Sequence, residues 1–247
     1  AAFLLYVALV AGMTRLWVGA PQRPRPPAAL SPKEQAGIVE ISSPLACADT
    51  PAHPADRAQL DLFQAAHGPF PSRLLRSLAN SSGIFLGSGY MHTAVRPGMA
   101  LYGLNPTPGR PTPTAEVVSL DARVLQTRIL PRAETIGYGA TAAAPAGARI
   151  ATIAMGYADG LVRMAAGAGA VYFAGRRAPI IGRISMDLTG IDVSHLQSDL
   201  ARPGDWAEVI GPHQSADDLA AAAATIGYEL LTGLGPRLTR DYRVSAV

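Results

Sequence analysis

The sequence predicts an α/β unit followed by an antiparallel β domain, and three observations on its 247 residues support this order. From Phe3 to about Gly103, apolar runs alternate with helix-like stretches, which is typical of a parallel sheet or barrel. A proline-rich stretch follows. Beyond it, short apolar strands are separated by glycine and proline, as in antiparallel sheets. With 49% hydrophobic residues, the chain can bury one large core or two modest ones.

The first part of the chain alternates strands and helices. Ser31 and Pro32 predict a helix start, because serine caps the first turn and proline lacks the N–H that would stay unpaired there. The predicted elements are strands at 3–10, 38–42, 74–79 and 94–101, a helix that begins at Ser31 and a second helix over Asp56–His67.

The proline-rich stretch that starts at Asn105 cannot hold a helix or a central strand, and we expect an extended connector there. We therefore predict an α/β portion over 1–104, a connector over 105–114 and a β domain over 115–247.

The second part has the texture of an antiparallel β domain. Gly175-Arg176 is predicted as a hairpin turn, and Ser215 as the N-cap of a helix that runs to about Ala224. The predicted strands are 117–130, 149–155, 170–174, 178–184, 190–193 and 205–210.

Composition and charge exclude several classes of partner. The formal net charge is +3, but the arginines are scattered singly, which disfavours a nucleic-acid surface. The apolar run from Ala1 to Met13 is short of the roughly 20 residues that span a bilayer, and its first cation, Arg15, is on the wrong side for a secretory signal. Cys47 is the only cysteine, so we expect a reduced, cytoplasmic location.

The common cofactor and hydrolase motifs are missing from the sequence. It contains no phosphate-binding Walker loop, dinucleotide fingerprint or nucleophile elbow. The five histidines are far apart in sequence, so no metal site is expected.

The chemical signal lies instead in six short strings, and together they resemble alanine racemases. The strings are Asn80-Ser81, Arg96-Pro-Gly98, Tyr138-Gly-Ala-Thr, Gly156-Tyr-Ala-Asp159, Gly182-Arg-Ile-Ser-Met-Asp187 and Tyr228-Glu-Leu-Leu. The resemblance, which extends from about Gly12 to Tyr242, implies the latter part of a (β/α)8 TIM-type barrel that binds pyridoxal 5′-phosphate, followed by an antiparallel β domain. It also implies a homodimer with shared active sites that interconverts L-alanine and D-alanine and supplies D-alanine for peptidoglycan.

The resemblance implies residues around the cofactor. Ser81 and the amides of Gly98 and Met99 bind the phosphate, and the phenol of Tyr228 donates to it. Taken alone, the Ser81 string is equally an ordinary β–α turn. Arg96 faces the pyridine nitrogen, and because the pKa of a guanidinium lies above about 12 it passes no proton to the ring. The ring is then a weaker electron sink, which favours racemisation over transamination.

The same resemblance implies the residues around the substrate. Tyr138 moves the Cα proton on one face of the substrate and needs a neighbouring positive charge, because a phenol has a reference pKa near about 10. Tyr157 lines the substrate entrance. Arg15 and the backbone N–H of Met186 bind the substrate carboxylate.

The start of the chain departs from the family pattern. Lys33 is the only lysine, and it follows Ser31-Pro32 at the opening of a polar helix, not in the early barrel strand that carries the family's cofactor lysine. Ala8, Val10 and Pro44 replace a lysine, an aspartate and a histidine of the family. We therefore expect this chain alone to be inactive, as a truncation, a frameshift, a decayed copy or a variant that pairs with another chain.

Two other functions stay open at this point. One is an amino-acid racemase of broader specificity, against which Tyr138 and Tyr157 argue only weakly. The other is a catalytically dead binding or scaffold subunit that keeps the phosphate site and the dimer surface.

Overall fold

The computed structural model describes residues 40–68 and 70–243. The chain divides into two compact units, Ala1–Ala115 and Glu116–Val247. The predicted strand at 3–10 and the helix start at Ser31 lie outside the described residues.

The N-terminal unit contains a parallel sheet whose strands follow the order β1-β2-β3. The carboxyl ends of its strands therefore share one edge. In chain order its elements are β1 (Glu40–Ser42), α1 (Pro54–His67), β2 (Leu75–Asn80), α2 (Ser81–Ile84), α3 (Ser88–Met91), β3 (Ala94–Arg96) and α4 (Gly98–Leu101).

Helix α1 confirms the helix predicted over Asp56–His67 and begins two residues earlier. The imidazole Nδ1 of His53 accepts from the N–H of Ala55 at 3.1 Å, and Pro54 opens the helix. Leu60 and Phe63 are buried with the apolar residues of β1 and β2 in one cluster. This cluster packs α1 on the sheet.

The strand predicted over 94–101 is wrong beyond Arg96. Pro97 has no N–H for a sheet ladder, and the chain turns there into the short helix α4. The turn places Gly98 and Met99 immediately after the carboxyl end of β3.

The C-terminal unit is an antiparallel β structure, so the α/β-plus-β class predicted from the sequence is confirmed. A six-stranded sheet has the order β10-β7-β4-β11-β8-β9, and β5 and β6 form a separate hairpin. Its elements are β4 (Leu120–Ile129), β5 (Glu134–Ile136), β6 (Ala142–Ala144), β7 (Arg149–Ile153), β8 (Ala170–Phe173), β9 (Arg176–Pro179), β10 (Thr189–Asp192), β11 (Trp206–Ile210), α5 (Ala216–Ala222) and α6 (Gly227–Gly233).

Several details of this unit differ from the prediction. The hairpin turn is Ala174-Gly175, one residue earlier than predicted, since Phe173 pairs with Arg176. The predicted strand 178–184 extends only to Pro179, apart from one bridge at Ile180. The hairpin β5–β6 and helix α6 were not predicted.

The predicted cap of α5 is confirmed. The hydroxyl of Ser215 accepts from the N–H of Asp218 at 3.1 Å, and the carboxylate of Asp218 accepts from the N–H of Ser215 at 3.2 Å. This reciprocal pair is a capping box.

Within the described residues, no helix is long and apolar enough to cross a membrane.

Candidate active site

Ser81 lies where the carboxyl end of β2 meets α2 in the N-terminal unit. Its side chain is buried, and its hydroxyl accepts from the N–H of Ala100 at 3.2 Å. Asn80 caps α2 through a 2.9 Å bond from the N–H of Gly83. Ser81 therefore binds directly to α4, the helix that contains Gly98 and Met99, and these three predicted phosphate-binding residues are neighbours.

Gly83 shows how tightly this corner is packed. A Cβ atom at Gly83 would lie 2.6 Å from Cδ1 of Leu45 and 3.2 Å from the Cβ of Ala79. The amide of Asn80 also donates to the carbonyl of Leu45 at 3.2 Å. The start of α2 is thus fixed against the loop that follows β1.

Arg96, the last residue of β3, extends its guanidinium across the sheet. Nη1 donates to the carbonyl of Ser77 at 2.8 Å and also to the Ser77 hydroxyl, while Nη2 donates to the carbonyl of Ser43 at 2.8 Å. Within the described residues no carboxylate forms an ion pair with it. Burial lowers the pKa of the Arg96 guanidinium from its usual value, and the charge of Glu40 acts in the opposite sense.

Pro44, in the loop after β1, makes no side-chain polar contact because proline has no polar side-chain atom. Its carbonyl accepts from the side-chain amide of Gln59 at 3.0 Å, and Gln59 in turn accepts from the N–H of Ala46 at 2.9 Å. The buried Gln59 thereby holds the loop after β1. The polar partners of Arg96 are two serines, Ser77 and Ser43.

In the C-terminal unit, Tyr157 and Met186 lie on two loops that are bonded to each other. The N–H of Tyr157 donates to the carbonyl of Ser185 at 3.0 Å, and the N–H of Ala158 donates to that of Met186 at 2.9 Å. A Cβ atom at Gly156 would lie 2.4 Å from the backbone of Met186. Only glycine allows this approach.

The amide of Met186 is available to a ligand. Within the described part of the chain its N–H has no acceptor, and its side chain is 55% exposed. Tyr157 is likewise partly exposed. This arrangement suits a backbone donor for a carboxylate.

Tyr138 lies in a 3₁₀ turn between β5 and β6 and is 71% exposed. The turn packs on Arg183: a Cβ at Gly139 would lie 2.6 Å from Nη1 of Arg183, and one at Gly137 would lie 2.8 Å from the Arg183 amide nitrogen. The turn that contains Tyr138 is therefore packed against Arg183, which lies in the same loop as Met186. Arg183 was not selected from the sequence as a functional residue.

Tyr228 is half-buried in the first turn of α6, on an element that was not predicted. The end of α6 approaches the Tyr157 turn: a Cβ at Gly160 would lie 2.8 Å from the carbonyl of Gly233. The N–H of Gly235 donates to the carbonyl of Asp159 at 3.2 Å.

The structure thus forms two groups of predicted site residues, one in each unit. The first contains Ser81, Arg96, Gly98 and Met99, and the second contains Tyr138, Tyr157, Met186 and Tyr228. Arg15 lies outside the described residues.

Three residues that were not selected as site residues from the sequence support these groups: Ser77, Asp159 and Arg237. Asp159 is 1% exposed, accepts from the N–H of Gly156 at 3.0 Å and lies 3.2 Å from Nε of Arg237. The signal that could have found Ser77 and Asp159 is a polar residue at a buried position, because a buried polar group needs a partner. Ser77, like Asp159, is fully buried, and it lies within the strand β2.

The first group fits the phosphate and the pyridine nitrogen of pyridoxal phosphate. Ser81 offers a hydroxyl beside the turn that begins at Gly98. Arg96 offers a half-buried cation without a carboxylate partner among the described residues. In residues 40–68 and 70–243, no group of three or more histidine, cysteine or acidic side chains could hold a metal ion.

Two family profiles match the chain. The one described as "Alanine racemase, N-terminal domain" matches residues 5–106, and the one described as "Alanine racemase, C-terminal domain" matches residues 117–242.

Characterised relatives show the same similarity. The chain is 50% identical over 205 residues to the catabolic alanine racemase of Mesorhizobium japonicum, covering 83% of this chain and 53% of that protein. It is 48% identical over 219 residues to the alanine racemase of Rhodospirillum rubrum, covering 89% of this chain and 57% of that protein. The chain therefore spans about half the length of the curated relatives it matches.

Solved structures also match. The alanine racemase of Bartonella henselae with covalently bound pyridoxal phosphate superimposes with a TM-score of 0.78 at 40% identity, over 83% of this chain and 57% of that one. The biosynthetic alanine racemase of Pseudomonas aeruginosa superimposes with a TM-score of 0.78 at 36% identity, over 95% of this chain and 65% of that one. The fold is thus part of a TIM-type barrel followed by an antiparallel β domain.

Proposed function

The chain belongs to the alanine racemase family, and on that premise we propose that it is the C-terminal part of an isomerase that interconverts L-alanine and D-alanine with pyridoxal phosphate. The observation that carries this proposal is Arg96, a half-buried cation at the carboxyl end of β3 beside Ser81, Gly98 and Met99. We keep the division into 1–104, 105–114 and 115–247 as the domain boundaries.

The N-terminal group holds the cofactor. Ser81 and the amides of Gly98 and Met99 bind its phosphate, together with the phenol of Tyr228. When bound, pyridoxal phosphate draws electrons from the substrate Cα, which makes that proton removable. With the cofactor bound, Arg96 would donate a hydrogen bond to the ring nitrogen and would leave that nitrogen unprotonated, because an arginine does not release its proton.

The C-terminal group serves the substrate. The N–H of Met186 and the side chain of Arg15 bind the carboxylate, Tyr157 narrows the entrance and the phenol oxygen of Tyr138 moves the Cα proton. Arg183 lies beside the turn that contains Tyr138.

We propose further that the enzyme is a cytoplasmic homodimer in which each Tyr138 serves the partner's site. The exposure of Tyr138, Tyr157 and Met186 supports this, because their side chains remain free to face a second protomer. The product D-alanine then supplies peptidoglycan synthesis.

This 247-residue chain alone is proposed to be inactive, since the family's chemistry needs a lysine in an early barrel strand and Lys33 is the only lysine. The first experiment adds pyridoxal phosphate to the purified chain and follows binding by absorbance, with and without borohydride. We expect binding that dialysis reverses and no borohydride-stable lysine adduct. A stable adduct would contradict the proposed inactivity.

The phosphate site has its own matched test. Ser81→Ala should weaken pyridoxal phosphate binding roughly tenfold through the loss of a hydrogen bond to a charged group. Ser82→Ala, at an equally buried neighbour, should leave binding unchanged. Equal loss in both variants would show that Ser81 has no special role.

Tyr138 is tested in any longer form of the protein that racemises alanine. There, Tyr138→Phe should lower kcat by about 10²- to 10⁴-fold, the usual worth of a general acid–base group. An unchanged kcat would mean that Tyr138 is not the base.

A further inference from the structure

The guanidinium of Arg96 is clamped by two serines, Ser77 and Ser43. Two of its three bonds come from Ser77, through the carbonyl and the hydroxyl, and the third comes from the carbonyl of Ser43. Ser77 is fully buried in the centre of β2. A serine at such a position is stable only with a polar partner, and Arg96 is that partner.

The clamp restricts the orientation of the guanidinium. Arg96 lies 19 residues from Ser77 and 53 residues from Ser43 in sequence, so the bonds join β3 to β2 and to the residue that follows β1. A guanidinium has five N–H donors in one plane, and the clamp occupies three of them. The plane is therefore fixed by acceptors on β2 and after β1, and two donors remain for another acceptor.

We propose that Ser77 is a positioning residue for Arg96. The hydroxyl of Ser77 holds the Arg96 guanidinium in the one orientation that serves the ring nitrogen of the cofactor. This inference rests on the proposed function, because it assumes a pyridine nitrogen as the acceptor.

Removal of the hydroxyl loosens Arg96 without removing it. Ser77→Ala keeps the Ser77 carbonyl and leaves two of the three bonds. A guanidinium that moves more freely presents a weaker and less directed positive field to the ring nitrogen. That nitrogen then binds a proton at higher pH.

The first measurement uses the ligand-free chain and follows rotation of the Arg96 guanidinium by NMR exchange of its Nη resonances. Ser77→Ala should speed this rotation about tenfold, as expected for the loss of a hydrogen bond to a charged group. Ser43→Ala is the matched control, because the Ser43 bond comes from the backbone carbonyl, which the substitution retains. Equal rotation in the parent chain and Ser77→Ala would overturn the proposal.

The second measurement uses pyridoxamine 5′-phosphate labelled with ¹⁵N in the ring, a probe that needs no lysine. Its ring-nitrogen shift is followed against pH when bound to the full chain. We expect Ser77→Ala to raise the protonation midpoint by about one pH unit, and Ser77→Thr, which keeps a hydroxyl, to restore it. A midpoint that is the same in the parent chain and Ser77→Ala would also overturn the inference.

A third variant separates positioning from general packing. If Ser77 acts through Arg96, then Ser77→Ala should leave the midpoint unchanged in an Arg96→Lys background, where the planar fork is gone. A shift of the same size in both backgrounds would assign Ser77 a purely structural role. Failure of the parent chain to bind the probe would count against the proposed function, while the NMR rotation would still decide the clamp.

Discussion

Asp159 shows at the scale of one residue how the turn that contains Tyr157 is held. Its carboxylate is buried, accepts from the N–H of Gly156 at 3.0 Å and lies 3.2 Å from Nε of Arg237. Arg237 also approaches Asp187, but at 3.9 Å and on the surface. One arginine therefore faces two carboxylates in very different surroundings.

We expect Asp159→Asn to destabilise the C-terminal unit by about 1–3 kcal/mol. The change removes a buried charge partner of Arg237 and strains the bond to Gly156, and a lost buried polar contact costs that much. The Tyr157 turn should loosen in parallel, which faster amide hydrogen exchange at residues 156–160 would report.

Asp187→Asn is the matched control, because its carboxylate is exposed and exposed pairs contribute within about 1 kcal/mol. Denaturant unfolding of both variants gives the comparison. Equal stability losses at Asp159 and Asp187 would refute the view that burial makes the first contact the important one.

Single residues also show how far the sequence predicts the site. Ser81, Arg96, Tyr138 and Met186 were selected because each sits in a short string with a chemical meaning. Ser77 was not selected because its hydrogen bonds to Arg96 run between strands, and no local pattern reports them.

At the scale of elements, the long apolar strands were the predictable ones. Strands β4, β7 and β11 were all predicted, since apolar residues recur over several positions in each. The hairpin β5–β6 was missed because each strand has three residues and β6 consists of alanine, which has little preference for strands.

The β8–β9 hairpin makes a testable case of turn chemistry. Its two-residue turn has positive φ at both positions, 48° at Ala174 and 76° at Gly175, as in a type I′ turn. Alanine pays a steric cost in this region that asparagine largely avoids. Ala174→Asn should therefore stabilise the C-terminal unit by about 0.5–1 kcal/mol.

The midpoint of urea unfolding measures this gain. Ala143→Asn, on the exposed side of β6, is the control: its φ is not positive, and asparagine is disfavoured in strands, so it should give no gain. A loss of stability at Ala174 would mean that the alanine is not strained there.

At the scale of the whole molecule, the sequence predicted the class of each part from periodicity and turn residues. It did not predict which polar groups each part would bury. In the N-terminal unit, His67 and His92 face each other with ring centroids 5.6 Å apart, and Phe63 contacts both rings. Both nitrogens of His67, Nε2 of His92 and Nε of Arg76 are buried without a hydrogen-bond partner among the described residues.

This cluster should make the N-terminal unit sensitive to acid. Burial lowers the pKa of His67 below its usual value, and the charge of Arg76 lowers it further. The pKa of His92 is likewise lowered, mainly by burial and also by the charges of His67 and Arg76. As pH falls through about 6.5, the unfolded chain binds protons that the folded unit resists, so stability falls. Above that pH the histidines contribute no pH dependence.

Asp56 of the same unit acts in the opposite sense, because burial raises the pKa of its carboxyl, with His53 opposing and Asp49 adding to the shift. The histidine contribution therefore has to be isolated by substitution.

We expect the double variant His67→Gln, His92→Asn to lose stability less steeply than the parent chain between about pH 7 and 5. Hydrogen exchange of residues 54–67, corrected for its intrinsic pH dependence, measures this in the unit itself. His195→Gln, a change at an exposed residue of the other unit, is the control and should leave that exchange unaltered. Identical pH profiles for the parent chain and the double variant would show that the buried histidine pair does not govern acid stability.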